Sequence, residues 1–173
     1  MQISMFPSLV SREPTVTQFD DLGVFLRSLG CQHVEEKNKA PVFSAFVEGR
    51  SQILVLDVDH VNPEEVATAL SSLTCTYYTH DTFSASSQDG KCHLRVYIPL
   101  SRSVDAAEMM TLYRNVSDFF NIPSDKACWG PRRVWFVPST RADKLAPSLS
   151  VVVKTALALR EHVSQPLDVE RYL

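Results

Sequence analysis

The apolar positions of this chain change period several times, and each change marks an element. Over 15–29, Phe19, Leu22, Leu26 and Leu29 recur at helical spacing. Thr15 with Gln18 makes a capping-box pair and Gly30 supplies a stop, so a helix is expected there. The stretch 41–49 alternates through Val42, Phe43, Ala45 and Val47 and reads as a strand. A continuous run, Ile53-Leu54-Val55-Leu56, makes 52–58 a central buried strand. A second helix is expected over 63–73, with Asn62 as cap, Pro63 at its first position and Val66, Leu70 and Leu73 turned inward.

Residues 74–79 are β-branched and aromatic and read as a strand, 80–91 as a polar loop, and 92–100 as a further alternating strand. The longest helix is expected over 106–120, opened by a capping box of Asp105 and Glu108, with Leu112, Val116 and Phe119 on its buried face. A short strand over 133–137 closes at Pro138. A last helix over 148–163 has the run Val151-Val152-Val153 against it. Helices interleave with strands, so the class is α/β or α+β: one domain with a mixed central sheet covered by helices. The domain spans 15–165, preceded by an extended or poorly ordered lead-in over 1–14, with Pro7 and Pro14, and followed by a tail over 166–173.

Composition narrows this picture without redirecting it. A chain of 173 residues, 45% apolar and 21% charged, is long enough for one core without staples and has the make-up of a soluble globular domain. No apolar stretch nears the roughly 20 residues that span a bilayer, and the N-terminus lacks a signal-peptide pattern, so a cytoplasmic protein is expected with no membrane partner. The four cysteines are scattered without a CxxC pair and read as free thiols rather than zinc ligands or disulfides. A net charge of −3 leaves no overall basic field, which counts against a stand-alone non-specific DNA binder but not against a local basic groove.

The candidate chemistry begins where the central strand ends. Asp57 and Asp59 are spaced i, i+2, which on a strand puts them on one face about 6–7 Å apart. Two unpaired carboxylates there repel each other and resist desolvation, and a hard divalent cation, Mg²⁺ or Mn²⁺, relieves both. The bland alternative is a pair of turn residues ahead of the helix start at Asn62-Pro63-Glu64-Glu65. Further on, Ser84 to Gly90 is followed by Lys91, His93 and Arg95, and His93 and Arg95 share a strand face. Hydroxyls of Ser86 and Ser87, glycine backbone and these basic groups suit phosphate oxygens. A surface hairpin with a solvated charged edge is the alternative. A third segment places Asp125 after a helix and Arg133 eight residues later at a strand opening.

The order of these segments resembles the archaeo-eukaryotic primase, or primase-polymerase, superfamily. It is similar above all to the primase domains of phage and plasmid replication proteins. Leu56-Asp57-Val58-Asp59, Tyr78-Thr79-His80, Leu94 to Arg102, and Asp125 through Arg133 to Pro138-Ser139 carry the resemblance, which covers roughly residues 40–140. It implies an RRM-like catalytic core in which Asp57, Asp59 and Asp125 are catalytic and hold Mg²⁺ or Mn²⁺. It implies that Ser86, Ser87, Lys91, His93, Arg95 and Arg133 bind the nucleotide. The loop reads Ser84-Ala85-Ser86 where the phage group often carries Ser-His-Thr, which leaves both His93 and His80 as candidates for the motif histidine. The implied activity is DNA-dependent nucleotidyl transfer that makes or extends primers. Its partners would be nucleoside triphosphates, a single-stranded DNA template and primer, and a helicase or other replication protein. A catalytically inactive module of the same fold and a metal-dependent nuclease are the rival readings.

Overall fold

A computed structural model describes residues 1–29, 32–34, 40–82, 90–137, 139–141, 158–160 and 166–173, with backbone alone for 32–34, 139–141 and 158–160. In chain order the elements are β1 (Gln2–Phe6), β2 (Thr15–Gln18), α1 (Leu22–Leu29), β3 (Gln32–Val34), β4 (Val42–Ser44), β5 (Ser51–Val61) and α2 (Pro63–Ser71). There follow β6 (Tyr77–Asp81), β7 (Cys92–Val104), α3 (Ala106–Phe119), β8 (Trp135–Phe136), β9 (Ser139–Arg141) and β10 (Ala158–Arg160). The α/β class holds. The strands divide into two four-stranded antiparallel sheets, ordered β2-β1-β4-β8 and β10-β6-β7-β5, and the parallel pairing among the described strands is β3 with β9.

The long strands β5 and β7 form the spine, and alternation along β5 sorts its side chains between two cores. Leu54, Leu56 and Val58 face α2 and α3, packing on Val66, Leu70, Met109, Leu112 and Val116. Ile53 and Val55 face the other way, with Tyr78 and Tyr97, onto α1 and the first sheet through Leu26, Phe43 and Trp135. A strand buried on both faces has no need of polar alternation, which is why its first half reads as an unbroken apolar run. Each of these fully buried Leu and Val side chains contributes on the order of 2 kcal/mol.

Several boundaries differ from the sequence reading. The segment 15–18 is a strand, in keeping with its β-branched Thr15-Val16-Thr17, and α1 starts at Leu22, where the Asp21 carboxylate accepts from Val24 N–H at 2.8 Å. The lead-in over 1–14 is partly built into the fold: β1 lies between β2 and β4, with Ile3 fully buried. The tail over 166–173 likewise docks, placing Leu167, Val169 and Tyr172 in the α3 core. The capping box of α3 is present with both hydrogen bonds, but Phe119 is 58% exposed and Phe120 is buried in its stead. The buried positions 109, 112, 113 and 116 continue at i+4 to residue 120, so residue 119 leans outward. Asn62 stands at the start of α2 without capping it through its side chain, which accepts from Lys91 Nζ instead. Of the helix expected over 148–163 only 158–160 is described, and it forms β10 beside β6.

Candidate functional site

On the face of the second sheet that looks toward α1 and the first sheet, residues change from apolar to polar along the strands. Val55 pairs with Tyr97, and Tyr97 with Tyr78. One step on, Asp57 pairs with Arg95, and Arg95 with His80. One step further, Asp59 pairs with His93. The i, i+2 spacings of both motifs thus act in register, and two acids meet two nitrogen bases across the β5–β7 ladder.

The Asp57–Arg95 pair converges on one carboxylate oxygen. Arg95 Nε and Nη2 each approach Asp57 Oδ1 at 3.0 Å, and Nη1 donates to the Phe136 carbonyl at 2.8 Å. The guanidinium lies over the Trp135 ring at 4.7 Å, so β8 closes over it. Arg95 is 6% exposed and Asp57 16%, and removing either partner would strand a buried charge. His93, also buried, hydrogen-bonds Asp59 Oδ1 through Nδ1, while Asp59 itself is 39% exposed. Each acid therefore has a partner on the neighbouring strand, and the mutual repulsion expected of an unpaired couple is offset within the protein.

Asp125 arrives beside this row through the backbone, its N–H donating to the Asp57 carbonyl at 2.8 Å. Its Oδ1 accepts from Ala127 N–H at 2.9 Å and so starts the 3-10 turn at Lys126–Cys128. The Cys128 sulfur lies 3.3 Å from Asp125 Oδ2 and 3.8 Å from Asp57 Oδ2, and accepts from Arg133 Nη2 at 3.1 Å. Burial, with the adjacent Asp57 charge, pushes this thiol up to about 12, so it sits between the two carboxylates protonated. Arg133 precedes β8 and lies 5.6 Å over the Trp135 ring, rather than opening a strand as expected.

His80 faces the same side and is as buried as His93. It is 2% exposed, with Nδ1 2.7 Å from the Asp81 carbonyl and Nε2 2.6 Å from the Tyr97 hydroxyl. Nδ1 is then the protonated nitrogen and Nε2 accepts from the phenol. Burial, together with the neighbouring Arg95 charge, lowers its pKa to about 3. Of the two candidate histidines, His93 is the one that touches an acid of the pair.

The structure therefore brings Asp57, Asp59, Asp125, His93, Arg95 and Arg133 to one region. Lys91 precedes β7 and reaches the Asn62 side chain next to the end of β5. Ser86 and Ser87 lie outside the described residues. Sequence reasoning missed His60, Cys128 and Trp135. His60 belongs to the very segment that drew attention, but strict alternation sends it to the opposite face, and nothing in the residue string announces that alternation stops there.

These features define a single α/β domain whose polar face joins carboxylates to basic side chains. The chain belongs to the VapE N-terminal domain family, which it matches over residues 17–158. That family is found in replication-associated proteins of phages and plasmids, which gives the chain a replication-associated context in mobile elements. No curated protein and no solved structure matches the chain. Among the described residues no helix is long and apolar enough to cross a membrane.

Proposed function

We propose that this chain is the primase-polymerase domain of a cytoplasmic phage, plasmid or mobile-element replication protein, with an RRM-like core, joining nucleoside triphosphates into primers on single-stranded DNA. The observation that carries the reading is the registered row of Asp57 and Asp59 against Arg95 and His93, with Asp125 held to Asp57 by a backbone hydrogen bond. Carboxylate oxygens are hard donors of the kind Mg²⁺ or Mn²⁺ takes; Asp57 Oδ2 and Asp125 Oδ2 lie on either side of the Cys128 thiol, which an ion held by both would displace. Such an ion, when bound, supplies activation of the attacking 3′-hydroxyl and neutralises charge on the leaving pyrophosphate.

The chain's own part is positioning. Asp57, Asp59 and Asp125 offer the oxygens. Arg95, His93, Lys91 and Arg133 take the triphosphate, with Ser86 and Ser87 as further hydroxyl donors. Phosphoryl transfer asks mainly for alignment and charge compensation, and this inventory provides both. A helicase or other replication protein is the partner this reading calls for.

The test is primer synthesis and primer extension by the full chain on single-stranded DNA with Mg²⁺ or Mn²⁺. Asp59→Asn and Asp125→Asn are expected to lower incorporation by about 10²–10³-fold while the chain stays folded. Parental rates in both variants, or no incorporation with either metal, sink the proposal. The Asp57–Arg95 pair favours a second reading, a non-catalytic module in which that buried pair is structural. It predicts DNA or partner binding that is indifferent to metal.

A further inference from the structure

Asp59 pairs with His93, but the next paired residue on β5 is Val61, opposite Cys92, so His60 is an extra residue in the strand. This bulge holds His60 at a left-handed φ of 58° and takes it out of the alternation that would point it away from Asp59. Its ring meets the His93 ring edge-on, with centroids 4.5 Å apart. Its Nε2 lies 3.9 Å from Asp59 Oδ2, while the other Asp59 oxygen contacts His93 Nδ1. Among the described residues, one donor atom from each of Asp59, His60 and His93 lies within 4.8 Å of the other two.

We propose that the bulge of β5 builds a metal site in which Asp59, His60 and His93 hold a first-row divalent transition-metal ion, for which Mn²⁺ serves as the paramagnetic probe. Two imidazole nitrogens and one carboxylate favour such ions over Mg²⁺, which prefers oxygen alone. Two ligands about 2.1 Å from one ion stand roughly 3–3.5 Å apart, close to the spacing already present between His60 and Asp59. His93 is buried and fixed, whereas the His60 side chain is 70% exposed and closes on the ion without disturbing the core. The exposed side of Asp59 and His60 leaves coordination positions open to a phosphate or water ligand. The site shares Asp59 and His93 with the proposed nucleotidyl-transfer site, but it stands on the bulge geometry at His60 and is tested apart from primer synthesis.

The experiment is titration of the chelator-stripped full chain with Mn²⁺ alone, followed by calorimetry and by pulsed EPR for nitrogen coupling to the ion. The expected result is nitrogen coupling from imidazole and weak competition by Mg²⁺. His60→Gln is expected to weaken Mn²⁺ binding by more than about tenfold, since even partners one shell further out are worth that much, and to reduce the nitrogen coupling. His60→Gly, which suits the left-handed backbone, serves as a second variant with the bulge retained. Absence of nitrogen coupling, or equal Mn²⁺ affinity in parent and both variants, overturns the site. Mn²⁺ bound with these signatures in a chain that extends no primer supports this site and removes the nucleotidyl-transfer reading. Primer extension with unchanged Mn²⁺ affinity in His60→Gln overturns this site alone.

Discussion

His80 shows what a single buried residue contributes and when. In the unfolded chain its imidazole titrates near 6.5, and in the fold burial lowers that to about 3. Between these values the unfolded chain binds the extra proton, so stability rises with pH. The contribution is complete above about 6.5 and is lost as pH falls towards about 3, with a slope on the order of 1 kcal/mol per pH unit. Urea unfolding at stepped pH is expected to show this slope in the parent and a flatter one in His80→Gln. Equal slopes would mean that His80 protonates in place. At this scale much of the candidate site was legible in the residues. Asp57, Asp59, His93 and Arg95 share a face because i, i+2 spacing on a strand is geometry, not context. Cys128 and Trp135 were not legible, because a thiol between two carboxylates and an indole under two guanidinium groups depend on how a distant turn folds back.

Among the elements, β5 is the one in which two local rules meet. Its first half obeys alternation, and its second half breaks it with one extra residue at His60. Left-handed backbone is costly for a β-branched side chain and not for glycine. His60→Val is therefore expected to destabilise the fold by about 1–2 kcal/mol, while His60→Gly leaves stability equal or slightly higher, as read from denaturant midpoints. Equal midpoints for the two variants would show that the bulge relaxes rather than strains. Elements with local signals were the readable ones. Asp105 and Glu108 announce α3, and the Ile53–Leu56 run announces β5. The start of α1 was misread because Thr15 and Gln18 imitate a capping box, whereas Asp21 makes the hydrogen bond. Phe119 was misread because one helical position decides between core and solvent, and the docking of Tyr172 against Phe119 and Phe120 is invisible in the string.

At the scale of the whole molecule, two cores share one sheet, and both draw on residues near the ends of the chain. Leu167, Val169 and Tyr172 complete the α3 core, and Ile3 completes the other. The α/β class was legible from interleaved periods, but the split into two sheets was not, because β1 and β2 pair through contacts that leave little pattern in short, half-exposed strands. The central place of β1 also bears on how the domain can be cut. The family match begins at residue 17, inside β2, and leaves out the strand that lies between β2 and β4. A fragment trimmed only at the front, to 17–173, would bare the backbone donors and acceptors of β4 along one side and open the slot that Ile3 fills. A bared, apolar sheet margin is a template for strand addition from another chain. Size-exclusion chromatography is expected to find that fragment in soluble aggregates and the full chain in a single species. A monodisperse fragment would show that β1 is dispensable. The first six residues thus act as a guard on the sheet, keeping each copy of the protein from being completed by its neighbour.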